Sequence, residues 1–250
     1  MEPKFRIAAI TDEFSPADPA VAMAQMESIG MTGAELRVLW GKNIMDLSSD
    51  ELAKAKELAQ QHKMEVISIA SPILKCVLPG APDVDTRFQQ DIFNSKHTFE
   101  DQPRLLERAF SIAKHFDAKI VRVFTYWRTV QPEACFTAIC RALADMADQA
   151  RAEGLNIGVE NEHACNIATA ADSAKVLNAV QHPNLKLVWD PANALVSGED
   201  PFPDGYSLLP KDRIAHVHVK DCHMEGHKPI WGPVGTRSVD WKGQVGALWN

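Results

Sequence analysis

Near the end of the chain, apolar and polar residues alternate at every second position, which is the pattern of a β-strand. The segment is 213–220, RIAHVHVK, in which His216, His218 and Lys220 share one side and apolar residues take the other. A row of basic groups on a buried strand is costly unless a metal, an anion or paired charges satisfy it. The sequence leaves two interpretations open: a buried ligand site, or an edge strand with a solvated polar face.

Seven short apolar runs alternate with segments of helical spacing along the chain. The runs predict strands at 5–11, 34–39, 65–70, 119–125, 156–162, 185–190 and 213–220. The helical spacing predicts helices at 16–29, 48–63, 100–116, 132–154 and 169–180, a short helix at 193–197, and a last helix capped by Asp240. Such alternation is typical of a parallel sheet. With no break in composition, it predicts one domain over residues 1–250, with the α/β fold of a (β/α)8 TIM barrel.

Two segments are less regular. Residues 72–98 and 222–238 are rich in proline, glycine and polar residues, and both are predicted to be loops, the first with a short helix near 86–93. The turn after the first strand, 12–16, contains no glycine. A dinucleotide-binding fold needs a glycine-rich turn at that place, so the barrel is favoured over a doubly wound sheet.

Composition narrows the class of protein. The chain has 250 residues, 46% of them hydrophobic and 24% charged, which is enough for one sizeable core. A net charge of −7 argues against nucleic-acid or anionic-membrane partners. Five cysteines, an odd number without a CxxC pair, indicate reduced thiols. With no signal-peptide pattern and no apolar run of about 18 residues, we expect a cytoplasmic protein.

Three predicted strands end in side chains that can bind a metal. Glu160 lies near the end of the fifth, Asp190 ends the sixth, and His218 lies near the end of the seventh, at spacings of 30 and 28 residues. Each spacing is one βα repeat, so we expect the three side chains at the same height on adjacent strands, at the barrel edge where active sites form. Two carboxylates and an imidazole suit Mn²⁺, Mg²⁺, Co²⁺ or Zn²⁺.

Each of these residues also has an ordinary structural explanation. Glu160 could form an ion pair, Asp190 could cap the following helix, and His218 could be a hydrogen-bonded core histidine. The three explanations together are less economical than one shared site, because polar residues at strand ends in barrels tend to be functional.

Four motifs carry a resemblance to a known family. They are GVENEH at 158–163, WDPANA at 189–194, HVHVKD at 216–221 and GPVGTRSVDW at 232–241. In this order they resemble the xylose isomerase-like TIM barrels, the sugar phosphate isomerase/epimerase group, over nearly the whole chain. The motifs are specific to that superfamily and not to one substrate.

The resemblance implies a site. Glu160, Asp190 and His218 match the residues that bind one divalent metal in the family, and we expect Mn²⁺ foremost. The position of Asn193 lies near the substrate in related epimerases, often as a histidine. Further expected substrate-binding residues are His163, His216, Lys220 and Glu35.

The chain departs from the family in one respect. Relatives have an eighth strand that ends in a second glutamate, and here the repeat interval puts that strand beyond Asn250. Truncation, a strand from a partner chain, and a degenerate site are the three explanations. Truncation is favoured, because an open seven-stranded barrel would expose the edges of its first and seventh strands.

The expected function is a divalent-metal-dependent isomerase or epimerase that acts on a sugar, polyol or sugar phosphate through a metal-stabilised enediolate. The metal would polarise the carbonyl, and Glu160 would remove the adjacent proton. Lys220 and His216 would stabilise the developing oxyanion. A homo-oligomer is left open.

Three alternatives remain. A dehydratase of the inosose or 3-dehydroshikimate type would share the site and the first step. A nuclease of the endonuclease IV type would need further histidines at strand ends, and the net charge disfavours DNA. A binder of metal or sugar without catalysis fits the absent glutamate.

Overall fold

Seven parallel strands form one curled sheet in the computed structural model, which describes residues 5–88 and 96–249. The strands follow one another in chain order, which confirms the predicted α/β alternation. They are β1 (Ala8–Ile10), β2 (Gly33–Leu36), β5 (Glu65–Ile69), β6 (Ile120–Val123), β7 (Asn156–Glu160), β8 (Leu185–Trp189) and β9 (Ile214–Val217), with the short hairpin β3 (Val38–Leu39) and β4 (Lys42–Asn43) after β2.

Helices connect successive strands and cover the outer face of the sheet. They are α1 (Pro19–Ser28), α2 (Ser49–Gln61), α3 (Gln102–His115), α4 (Phe136–Ala152), α5 (Ala170–Ala179), α6 (Pro191–Val196), α7 (Tyr206–Leu208) and α8 (Trp241–Trp249). The predicted capping box at Ser48 and Glu51 is present, with both reciprocal hydrogen bonds. The predicted cap of the last helix is also confirmed, because Asp240 Oδ1 accepts a hydrogen bond from the Gly243 N–H at 2.8 Å. No helix within the described ranges has the length and apolar character needed to cross a membrane.

The sheet curls far enough to bring distant strands together. Glu35 Oε2 on β2 lies 3.2 Å from His216 Nε2 on β9, although four strands separate β2 from β9 in the sheet order. Among the described residues, β1 and β9 form the two edges of this sheet, and no strand pairing joins them. The curl thereby brings side chains from β2 and from β9 together on the inner side of the sheet.

The expectation of equal height for the three metal-competent residues is wrong in one detail. Glu160 is paired with Val188, and Val188 is paired with His216. Asp190 and His218 therefore lie two residues beyond the level of Glu160, and β9 is shifted in register against β8 between Leu187 and Val188. Strands in a barrel are staggered, so equal spacing along the chain does not give equal height.

Residues 222–238, predicted to be a loop, contain a β-hairpin instead. Its strands are β10 (Asp221–Glu225) and β11 (Lys228–Gly232), which pair antiparallel around a two-residue turn. Gly226 in that turn has φ of +61°, which glycine adopts without a steric penalty. Proline and glycine occur in loops as well as in hairpin turns, so their presence in this segment does not distinguish the two.

Other boundaries differ by a few residues. The predicted strand at 34–39 ends at Leu36 and continues into the β3–β4 hairpin, and the predicted strand at 213–220 ends at Val217. In the segment 72–98, Thr86–Phe88 form a 3-10 turn, while the rest of the short helix predicted at 86–93 lies outside the described residues.

Glycine at position 158 lets the core close around β7. A Cβ atom there would lie 2.8 Å from side-chain carbons of both Ile120 and Val188, on the two neighbouring strands. Such a distance is shorter than real contacts, so a larger residue would push the strands apart. This close packing places Glu160, two residues on, at a fixed position.

Candidate metal centre

Three buried side chains converge at the carboxyl ends of β7, β8 and β9. Glu160 is the last residue of β7, and Asp190 and His218 follow β8 and β9. His218 Nδ1 lies 3.1 Å from Glu160 Oε1 and 4.0 Å from Asp190 Oδ2. One ligand atom from each residue lies within 4.8 Å of the other two. This spread is close to that of ligands around a single ion, whose bonds are each about 2.0–2.2 Å long.

Asp190 caps a helix with one carboxylate oxygen and directs the other toward Glu160 and His218. Its Oδ1 accepts a hydrogen bond from the Asn193 N–H at 3.0 Å, so it caps helix α6. Its Oδ2 faces the converging side chains, where Lys220 Nζ is 3.0 Å away. The helix cap therefore fixes the carboxylate in the orientation that directs its other oxygen into the site.

Two oxygens of this group are buried without a hydrogen bond. Glu160 Oε2 and Asp190 Oδ2 accept none from any residue that the structure describes. Each lies beside a cation, Arg122 Nη1 at 3.3 Å from the first and Lys220 Nζ at 3.0 Å from the second. A buried carboxylate oxygen without a hydrogen bond is costly. Two carboxylates with such unfilled acceptors, both near His218 Nδ1, fit a divalent cation.

The charges around His218 shift its protonation strongly. Burial lowers the pKa of His218, but the Glu160 and Glu35 carboxylates outweigh burial and raise it to about 10. Burial likewise raises the pKa of Glu160, while His218 and Arg122 lower it below the usual value. The pKa of Asp190 is raised, chiefly by burial. A proton on His218 thus neutralises part of the negative charge, and a metal ion would displace it.

Three of the predicted substrate-binding residues form a hydrogen-bonded chain beside Asp190. His163 Nδ1 lies 2.8 Å from Asn193 Oδ1, and Lys220 Nζ donates to the same oxygen at 2.9 Å. Asn193 is fully buried, whereas the side chains of His163 and Lys220 are 22% and 36% exposed. Asn193 therefore orients two groups that solvent, and hence a small molecule, can reach.

Glu35 and His216 lie on the opposite side of His218. Glu35 is 1% exposed, and its Oε2 lies 3.0 Å from His218 Nε2 and 3.2 Å from His216 Nε2. Its Oε1 accepts a hydrogen bond from Ser68 Oγ at 3.3 Å. Burial raises the pKa of Glu35, but the two histidines outweigh burial and hold it well below its usual range. All the predicted site residues are thus brought together around His218 and Asp190.

Three further charged residues lie at this site: Glu162, which the sequence places at the end of the fifth predicted strand, and Arg122 and Lys75, which the sequence analysis did not identify. Arg122, Lys75 and Glu162 are all buried, and Lys75 Nζ lies 3.8 Å from Glu162 Oε2 and 4.4 Å from the centre of the Phe124 ring. Arg122 was detectable, because it is a charge within the apolar run KIVRVFT. Lys75 gave no signal, since it lies in an irregular segment whose path the sequence does not specify.

Comparison with known proteins gives a family and a set of similar folds. The family model described as xylose isomerase-like TIM barrel matches residues 23–248. No curated protein matches the chain.

Several solved structures have a similar fold. D-allulose 3-epimerase from Methylomonas sp. is 18% identical, with a TM-score of 0.72 over 98% of this chain and 80% of that one. A xylose isomerase-like TIM barrel protein from Mycobacterium smegmatis in complex with magnesium is 15% identical, with a TM-score of 0.70 over 99% and 88%. The probable 3-DHS dehydratase AsbF from Bacillus anthracis is 16% identical, with a TM-score of 0.70 over 97% and 88%.

The chain spans only 32% of a further match, a fusion of such a barrel with a 4-hydroxyphenylpyruvate dioxygenase. At these identities the likeness shows the TIM-barrel fold.

Proposed function

This chain belongs to the xylose isomerase-like TIM barrel family, and from that premise we propose that it is a divalent-metal-dependent isomerase or epimerase of a sugar or sugar phosphate. One observation carries the proposal: Glu160, Asp190 and His218 present ligand atoms within 4.8 Å of one another. They do so at the carboxyl ends of adjacent parallel strands, which is where barrel enzymes build their active sites.

Glu160, Asp190 and His218 would hold one divalent cation. Glu160 Oε1 and Asp190 Oδ2 lie 3.1 and 4.0 Å from His218 Nδ1 and are the natural oxygen donors, and His218 supplies nitrogen. We favour Mn²⁺, and Mg²⁺, Co²⁺ or Zn²⁺ also suit this donor set. When bound, such a cation polarises a carbonyl and makes the adjacent C–H proton removable.

Glu160 is the base in this proposal. Burial raises the pKa of its carboxyl, but His218 and Arg122 outweigh burial, so the group is ionised at neutral pH. An ionised carboxylate inside a dry site can accept the proton next to the substrate carbonyl. The product of that step is an enediolate, which collapses to an isomer or an epimer when a proton returns.

Lys220, His163 and His216 orient the substrate. All three are only partly buried, so their polar atoms can reach the hydroxyl groups of a sugar. Asn193 fixes the first two through its side-chain oxygen. Lys220 lies within 3.0 Å of Asp190 and can stabilise negative charge that develops on the substrate oxygen.

A dehydratase is the second candidate, and Lys75 favours it. Loss of water needs the same first proton abstraction and then an acid that protonates the departing hydroxyl. The Lys75 ammonium is buried beside Glu162 and the aromatic rings of Phe124 and Trp127, within the same group of charged residues. The similarity in fold to a probable 3-DHS dehydratase is compatible with this candidate.

Incubation in D₂O tests the two candidates together. The chain, loaded with Mn²⁺, is incubated with a panel of ketoses, aldoses, inososes, 3-dehydroshikimate and their phosphates where these exist. An isomer or epimer with one deuterium at C2 or C3 supports the isomerase, while a product lighter by one water supports the dehydratase. Glu160→Gln is the control and should remove either activity. Turnover of no substrate, or equal turnover by the control, contradicts the proposal.

A further inference from the structure

Among the residues that the structure describes, Glu35 is the one carboxylate that contacts both His216 and His218, and we propose that it is a positioning residue. It holds the proton of His218 on Nε2, so that Nδ1 presents its lone pair to the cation. This inference rests on the metal site of the proposed function and is independent of the substrate. It also gives Glu35 a different role from the substrate contact that the sequence suggested.

The two nitrogens of His218 face different groups. Nδ1 lies 3.1 Å from Glu160 Oε1 and 4.0 Å from Asp190 Oδ2, so it faces the other two metal ligands. Nε2 lies 3.0 Å from Glu35 Oε2. A neutral imidazole that binds a metal has its lone pair on one nitrogen and its proton on the other. Glu35, as a carboxylate, can only accept a hydrogen bond, so it selects the tautomer with the proton on Nε2.

Glu35 is itself held in place. It is 1% exposed, lies on β2 between β1 and β5, and accepts a hydrogen bond from Ser68 Oγ at its other oxygen. His216 Nε2, at 3.2 Å, contacts the same oxygen as His218. The two imidazole rings lie edge to face, with centres 5.2 Å apart. A carboxylate fixed from three directions can orient an imidazole with little freedom to rotate.

The contact between Glu35 and His218 exists because the sheet is curled. Glu35 and His218 are 183 residues apart, and their strands approach one another across the inside of the curled sheet. The contact therefore links the metal site to the first half of the chain. Loss of an outer partner of this kind typically weakens metal affinity about 10- to 100-fold.

Substitution by glutamine separates positioning from packing. Glu35→Gln has nearly the same shape, but its amide can donate to Nε2 and favour the opposite tautomer, in which Nδ1 carries the proton. We expect the Zn²⁺ dissociation constant, measured by titration calorimetry, to rise about 10- to 100-fold. In ¹⁵N-histidine NMR spectra of the zinc-loaded protein, wild type should show a protected proton on His218 Nε2, which the variant should lose.

A matched control keeps the result interpretable. Asp12→Asn removes a buried carboxylate that accepts hydrogen bonds from Arg37 and the Val38 N–H, away from His218. It should keep the wild-type zinc affinity and the Nε2 proton. Thermal unfolding of each variant checks that it is folded.

The outcomes are distinct. Unchanged affinity in Glu35→Gln, or lower affinity with the Nε2 proton retained, overturns the positioning role and leaves the proposed function standing. Two zinc ions per wild-type chain, one of them lost in the variant, would instead make Glu35, His216 and His218 a second metal site and would also overturn it. No zinc binding by the wild type would overturn both proposals.

Discussion

Two clusters of charged residues lie at the carboxyl ends of the strands. They differ in whether hydrogen-bond donors satisfy both oxygens of each buried carboxylate. The first, which we call the Asp12 cluster, comprises Asp12, Glu13 and Arg37 at the ends of β1 and β2. Asp12 Oδ2 accepts hydrogen bonds from Arg37 Nε at 2.9 Å and Nη2 at 2.7 Å, and its Oδ1 accepts one from the Val38 N–H at 3.1 Å. Both oxygens of the buried carboxylate are satisfied.

The second, which we call the metal cluster, comprises Glu160, Asp190 and His218 at the ends of β7, β8 and β9. Here each carboxylate has one oxygen that accepts no hydrogen bond from the described part of the chain. Arg37 directs two donors at Asp12, whereas Arg122 Nη1 lies 3.3 Å from Glu160 Oε2 without a hydrogen bond, and Lys220 brings a single ammonium to Asp190. The same residue types thus make a satisfied ion pair where donors suffice, and leave acceptors open for the proposed cation where they do not.

The largest expected effect is on the metal cluster. Glu160→Gln should weaken Mn²⁺ affinity by more than about 100-fold, beyond the loss expected for an outer partner, because it removes an anionic ligand. Wild type at 100 times its dissociation constant should gain about 2.7 kcal/mol in free energy of unfolding from the metal, and the variant should gain almost nothing. Calorimetry and urea unfolding with and without Mn²⁺ measure both. An equal loss of affinity in Asp12→Asn would erase the distinction between the clusters.

Substitution in the Asp12 cluster should lower the stability of the fold and leave metal binding unchanged. Asp12→Asn should lower the free energy of unfolding by about 2–3 kcal/mol, somewhat less than the full cost of breaking a buried ion pair, because Arg37 keeps its contact with Glu13. Urea unfolding in the presence of EDTA measures this. Metal affinity should remain within about twofold of wild type. A stable variant with weakened metal binding would contradict the structural role.

A smaller effect is expected at Lys220, which shares Asp190 Oδ2 with the proposed cation. Lys220→Met should raise Mn²⁺ affinity about fivefold, because it removes about 1 kcal/mol of repulsion from a position that solvent screens. If the lysine also holds the substrate, KM should rise at the same time. Lys186→Met, on β8 itself, is the matched control and should change neither quantity. Weaker metal binding in Lys220→Met would show that the lysine supports the site.

The smallest effect concerns pH and His163. Burial lowers the pKa of His163, but its contact with Glu162 outweighs burial and raises the pKa above 6.5. A raised pKa in the folded state adds stability that is fully present below 6.5 and is lost as pH rises through the folded value. The stability difference between wild type and His163→Gln should therefore be larger at pH 5.5 than at pH 8.5, by less than about 1 kcal/mol. If the stability difference between wild type and His163→Gln instead increases with pH, the prediction is wrong.

Much of the fold was predictable because it depends on local pattern. Alternating runs and helical spacing located the seven parallel strands and the main helices, and Ser48 with Glu51 located a helix start. The sequence predicts a loop where β10 and β11 form a hairpin, because proline and glycine are typical of loops and their turn chemistry suits a hairpin as well. The proposed metal ligands were identified from strand ends and motif resemblance, and their roles remain predictions.

The sequence by itself determined the order of strands and helices and the three residues at which a metal site was expected, because each depends on neighbours in the chain. The tertiary structure alone decided that Glu35 meets His218 across 183 residues, that Arg122 lies beside Glu160, and that Lys75 joins Glu162. These contacts depend on the curl and stagger of the sheet, which many strands set together. No local pattern encodes them.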